Sequence, residues 1–124
     1  MNIPDDLLYT KEHEWIRIVD DIATIGITDY AQSELGDIIF IEFPEKGVKY
    51  KLDDPVGTIE AVKTVTDIYT PINGEILEIN VELEDKPESI NKDPYKAGWI
   101  IKLCKIPKDI SHLLSASEYK ELIQ

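Results

Sequence analysis

"EWIRIVDDIATIGITDYAQSELGDIIFIEF", residues 14–43, holds most of the information about the fold. Two runs alternate apolar and polar residues, Glu14 to Val19 and Ile22 to Ile27, and only Asp20 and Asp21 separate them. That pattern predicts a β-hairpin closed by a two-residue turn. Thr28 is an N-cap residue type and Gly36 a C-terminal stop, so "DYAQSEL" reads as a helix of about two turns facing inward through Ala31 and Leu35. "DIIFIEF" is apolar at alternate positions on both faces, Ile38 and Phe40 on one, Ile39, Ile41 and Phe43 on the other. It is expected to be a strand buried between two layers.

Downstream, Val56 to Val62, Asp67 to Thr70, Glu75 to Val81 and Trp99 to Ile106 read as further strands, with "PING" supplying the turn chemistry before the third. Many short strands with frequent turns indicate a β-sandwich or small barrel. Ser115 followed by Glu118 is a capping-box pattern, and Tyr119, Leu122 and Ile123 then share a helical stripe. A C-terminal helix over about 115–123 should therefore pack on the sheet edge. "VELEDKPESINKDPYKAG", residues 81–98, is long for a structureless connection and is expected to hold a short helical turn or a functional surface. Nothing in the chain reads as a linker, so residues 1–124 are taken as one domain.

With 124 residues the chain can bury about two-thirds of its unfolded surface and fold without staples. Its hydrophobic content of 43% and charged content of 31% suit a globular domain, and no apolar run approaches the ~20 residues that span a bilayer. Thirteen basic and twenty-five acidic residues leave a formal charge of −12, which repels phosphate backbones and anionic lipid. Neither nucleic acid nor membrane is an expected partner, and a monomer is the expected state. No secretory signal is visible in "MNIPDDLLYTKEHEW", so a reducing cytoplasm is the expected compartment, or the mitochondrial matrix if a transit segment has been removed.

Catalytic and metal-binding patterns are missing. His13 and His112 have no ligand-spaced partner, and Cys104, in "WIIKLC", reads as a buried core thiol. No phosphate loop or nucleophile elbow occurs. One cation stands out, Lys63 in "GTIEAVKTVTDIYTPINGE", residues 57–75, flanked by the acids Glu60 and Asp67. A Schiff-base lysine needs a lowered pKa, whereas flanking acids favour the charged amine, so amine catalysis is not expected. β-Branched Val62, Thr64, Val65 and Thr66 stiffen the stretch. On local chemistry Lys63 is either a solvated residue at a hairpin tip or an amine held outward for something to reach.

"EAVKTVTD" followed by "PINGEI" resembles the lipoyl-attachment hairpin of the glycine cleavage system H proteins, with Glu60 three residues before the lysine and Gly74 eleven after it. "YTKEHEWI", "ATIGITDYAQSELGDIIFIEFPEKG", "PESINKDPYKAGWIIKL" and "LLSASEYKELI" also resemble stretches of that family, in the family's order and over nearly the whole chain. Ala61, Thr64 and Thr66 depart from the serine, alanine and serine common around the family's lysine, and Glu12 stands where a small polar residue occurs in other members.

The resemblance implies a mainly β fold, the lipoyl/biotinyl-type barrel-sandwich hybrid of two antiparallel sheets, with a short helix after the first hairpin, a lysine hairpin at about 56–70 and a C-terminal helix. It implies a non-catalytic carrier with lipoic acid amide-linked to Lys63, with Glu60 and Gly74 completing the modification motif. The implied partners are a lipoyl-attaching enzyme, a pyridoxal-phosphate glycine decarboxylase, a tetrahydrofolate-dependent aminomethyltransferase and dihydrolipoamide dehydrogenase. It implies a cleft for the aminomethyl-bearing arm, with Glu14 and Asp67 on the amine, Ile27, Ala31 and Leu35 as an apolar wall, and Glu12 beside them. Three readings stand beside this one: an H-like protein relaying lipoyl groups to other proteins, an unmodified structural β-domain, and a biotinyl carrier. The last expects methionines around its lysine, and the only methionine is Met1.

Overall fold

The computed structural model describes all residues from Met1 to Gln124. Two antiparallel sheets form a barrel-sandwich hybrid. The larger has six strands in the order β1 (Leu8–Tyr9), β2 (Glu14–Val19), β3 (Ile22–Ile27), β9 (Ile101–Cys104), β8 (Gly74–Ile79) and β5 (Lys49–Tyr50). The smaller has three, in the order β4 (Ile38–Glu42), β6 (Pro55–Ala61) and β7 (Val65–Tyr69). Isoleucine-rich inner faces of both sheets meet in the main core, including Ile16, Ile25, Ile41, Ile59, Ile76 and Ile101.

The β2–β3 hairpin has the predicted bounds. Asp20 (φ 51°) and Asp21 (φ 62°) both adopt left-handed backbone, which closes a two-residue hairpin with a twist that matches its strands, and aspartate tolerates that conformation. Trp15 lies opposite Gly26 in this hairpin, is fully buried, and donates its indole N–H to the Pro94 carbonyl at 2.9 Å. A Cβ at Gly26 would come within 2.7 Å of the indole Nε1. Gly26→Ala should therefore cost about 1–3 kcal/mol by overpacking. In urea titration the midpoint is expected to fall with an unchanged slope, and an unchanged midpoint would contradict this packing.

Helix α1 (Asp29–Leu35) also matches expectation, capped by Thr28, whose Oγ1 accepts from the Ala31 N–H, and stopped by Gly36 at φ 76°. Strand β4 does not match. Only Ile38 and Ile41 are buried, while Ile39 and Phe40 are 51% and 52% exposed, because a bulge between Ile38 and Phe40 shifts the alternation and only one face of the small sheet is covered. Cys104 is half-buried, not core: in β9 Ile101 and Leu103 take the inner face and Lys102 and Cys104 the other.

Strands β1 and β5 have two residues each, too few for periodicity to reveal. The 81–98 segment folds into two single-turn helices, α2 (Glu82–Asp85) and α3 (Ser89–Lys92), which bury Leu83 and Ile90. Helix α4 (Ala116–Leu122) has the full capping box at Ser115 and Glu118. It buries Ala116 and Tyr119, but Leu122 is 45% exposed and lies off the stripe assigned to it. A second, smaller core beneath α4 joins Tyr119 to Tyr9, Trp15 and Tyr95. No helix is long and apolar enough to cross a membrane.

Candidate functional site

Lys63 sits at the tip between β6 and β7. The tip is closed by the Ala61 N–H donating to the Thr64 carbonyl (2.8 Å) and tethered by the Val62 N–H donating to the Asp37 carbonyl (3.0 Å). Asn91 of α3 fixes that tether from behind: its Oδ1 accepts from the Ile38 N–H (3.0 Å) and its Nδ2 donates to the Gly36 carbonyl (2.8 Å). Lys63 is exposed and makes no ion pair, despite the proximity of Glu60 and Asp67 in sequence. Its side chain runs past the end of α1, so that a Cβ on Gly36 would lie 3.4 Å from Lys63 Cε.

A cleft of about 320 Å³ opens between α1, the β2 entry and the β6–β7 hairpin. Glu12, Glu14, Ile27, Ala31, Leu35 and Asp67, the six cleft residues expected from sequence, all line it. So do six that sequence reading missed: His13, Tyr30, Glu34, Ile59, Thr66 and Ile68. Tyr30 and Glu34 lie one helical turn apart beside Ala31 and Leu35, so helical spacing could have found them. His13 carried no such signal, because its place depends on a left-handed backbone (φ 68°).

The two acids expected to act together have different environments. Glu14 is 3% exposed. Its Oε1 accepts from Thr10 Oγ1 (2.8 Å) and its Oε2 from the Tyr69 N–H (3.2 Å). Burial pushes its carboxyl up to about 7, outweighing those two donors, which favour the ionised form. Asp67 is exposed, and its Oδ1 accepts from Thr58 Oγ1 (3.3 Å). Along β7, Thr66 and Ile68 face inward, so Asp67 alternates outward and stands at the rim. Burial lowers the pKa of His13, more than Glu12 and Glu34 raise it, so a neutral imidazole faces the cleft beside Glu14.

Glu60 is exposed on β6, opposite Phe40 on one side and Val65 on the other. Gly74 lies in the other sheet and does not line the cleft. A Cβ there would come within 3.1 Å of Leu103 Cβ and 3.2 Å of the Cys104 carbonyl, so a side chain would press on β9 and the glycine has a packing role in the β8–β9 pair.

The site therefore combines an outward, unpaired amine with an adjoining cleft that has an apolar wall and one buried carboxyl. Residues 7–124 match the family model described as Glycine cleavage H-protein. The chain is 50% identical over 125 residues to the glycine cleavage system H protein of Oceanobacillus iheyensis, covering 100% of this chain and 99% of that one. It is 51% identical over 122 residues to that of Herpetosiphon aurantiacus, covering 98% and 94%. A crystal structure of a glycine cleavage system H protein from Mycobacterium marinum superposes with a TM-score of 0.89 at 39% identity, covering 96% of this chain and 97% of that one. On these matches, which span fold, length and sequence together, the chain belongs to the glycine cleavage H-protein family.

Proposed function

We propose that this chain is the lipoyl carrier of glycine cleavage, with lipoic acid amide-linked to Lys63. The observation that carries the reading is the pairing of an unpaired amine at a tethered hairpin tip with a cleft beside it that offers both apolar and anionic surface. The residues fit the group: the tip leaves Nζ open to acylation, and the exposed Val62 and Val65 beside it leave room for a modifying enzyme. When bound, lipoic acid supplies a dithiolane that takes an aminomethyl group derived from glycine and is afterwards reoxidised.

The chain's own residues then have four tasks. The β6–β7 hairpin, pinned through Asp37 by Asn91, holds the attachment point rigid while leaving the arm free to visit other active sites. Ile27, Ala31 and Leu35 shelter the returning arm from water. Glu14 accepts a hydrogen bond from the cargo's cationic amine, while Glu12, Glu34 and the rim acid Asp67 add negative potential around it. Glu60, beside the tip, contributes to recognition by the lipoyl-attaching enzyme. The proposed partners are that enzyme, a pyridoxal-phosphate glycine decarboxylase, a tetrahydrofolate-dependent aminomethyltransferase and dihydrolipoamide dehydrogenase.

Reconstitution tests the reading. Lipoylated chain added to the decarboxylase is expected to support glycine-dependent release of carbon dioxide in proportion to its concentration. Release no greater than with the unlipoylated chain would overturn it.

A further inference from the structure

Helix α1 forms one wall of the cleft and has no fully buried residue, only Ala31 and Leu35 packing half-buried on the main core. Its first turn is held at Asp29, whose N–H donates to the Tyr95 hydroxyl (2.9 Å), and through the preceding Thr28, which is fully buried. The Thr28 N–H donates to the His13 carbonyl (3.0 Å), and Thr28 Oγ1 lies 2.7 Å from the Tyr119 hydroxyl. That hydroxyl lies 2.8 Å from His13 Nδ1. Tyr119 belongs to α4, outside the cleft, where its ring is fully buried and stacked on Tyr9 at 4.8 Å.

Proton accounting gives these contacts a direction. Thr28 Oγ1 accepts from the Ala31 N–H, and the one acceptor that its own buried proton meets is the Tyr119 hydroxyl. With its oxygen accepting from Thr28, Tyr119 donates its proton to His13 Nδ1. The reverse order would leave the buried Thr28 hydroxyl proton without a partner, a cost of about 1–3 kcal/mol. An accepting Nδ1 puts the imidazole proton on Nε2.

We propose that Tyr119 is a positioning residue for the cleft. Through the ordered chain Thr28 to Tyr119 to His13 it holds His13 as the neutral Nε2–H tautomer and sets the spacing between the Glu12–Glu14 segment and α1. The proposal rests on the carrier reading for its purpose: a neutral ring keeps a competing cation away from Glu14, and a fixed gap keeps water from the arm. Glu12 and Glu14 on its own segment, Tyr30 and Glu34 on α1, Asp67 on β7 and Tyr119 on α4 face His13 or share its cleft. Glu12 and Glu34 draw the ring toward the cation, which burial and the Tyr119 proton on Nδ1 oppose.

Nitrogen NMR of the imidazole in the full chain, with no need for lipoylation, reads the first half. Wild type should show the Nε2–H tautomer. Tyr119→Phe, which keeps the ring stack, should lose the tautomer preference and titrate His13 at higher pH, while Thr28→Ser should keep the wild-type signature. On lipoylated, loaded protein Tyr119→Phe should shorten the lifetime of the cargo about three- to tenfold, the worth of one buried hydrogen bond. A wild-type Nδ1–H tautomer, or a Tyr119→Phe variant with unchanged titration or unchanged lifetime, would overturn the proposal. The carrier reading fails separately, if wild-type protein protects the cargo no better than free dihydrolipoamide does.

Discussion

Lys63→Arg is expected to abolish carrier activity completely while leaving the fold and its stability unchanged within about 0.5 kcal/mol. The side chain is exposed, makes no ion pair and runs past the end of α1 at Gly36, so arginine is accommodated without loss of packing. A guanidinium stays protonated at any accessible pH and does not offer the free amine that acylation needs. On the carrier reading the activity needs the attached group, and the β6–β7 hairpin holds no second lysine to take it. The measurement is glycine-dependent release of carbon dioxide by the decarboxylase with each chain, alongside urea titrations. Residual release by the variant would mean that the attachment site is elsewhere.

Glu14→Gln should have the next largest effect. Glutamine can keep the Tyr69 contact, its carbonyl accepting from that N–H, and replace the Thr10 one by a reversed bond, its amide donating to Oγ1, so the cleft retains its shape. What it cannot supply is a charge for the cargo's amine. A hydrogen bond between charged partners is worth about 1.5–3 kcal/mol, so on fully lipoylated protein the lifetime of the loaded form should fall about 10- to 100-fold. Its pH dependence follows from burial. With the Glu14 carboxyl pushed up to about 7 in the empty cleft, holding a cation first requires loss of the acid proton. Protection by wild type should therefore strengthen as pH rises toward 7 and level off above it, while the glutamine variant shows no such step.

Stability carries the opposite sign. The folded acid binds its proton more tightly than the unfolded chain does, so stability falls as pH rises from the ordinary glutamate value of 4.5 to about 7. The loss is on the order of 3 kcal/mol in wild type. Glu14→Gln should lack this component, and comparing the two chains' urea midpoints at pH 5 and pH 8 isolates it. Equal pH dependence in both would mean that Glu14 is not held protonated.

How much of this was legible before the structure depended on the range of the interactions involved. The first hairpin, Thr28, Gly36 and the Ser115–Glu118 box were readable because turn and cap chemistry is local, confined to a few neighbouring residues. Strand β4 misled because a bulge breaks the period-two pattern and nothing covers the outer face, so Ile39 and Phe40 are exposed although their types suggest burial. Lys63 was readable as a held-outward amine but not as an attachment point; that step came from resemblance along the whole chain. The six cleft residues named from that resemblance do meet, whereas the contrast between buried Glu14 and rim Asp67 depends on strand alternation at the site. The contact between His13 and Tyr119 spans 106 positions, and no local pattern could reveal it.

The central claim, that Lys63 is an attachment point, is tested most directly by intact-mass measurement of the chain made in a lipoate-competent host, with the site mapped by trypsin. The expected result is a mass increase of one lipoyl amide, with trypsin no longer cutting after Lys63 because its amine is acylated, and no increase in Lys63→Arg. An unmodified mass from a host that lipoylates its own carriers, or the same increase in Lys63→Arg, would contradict it.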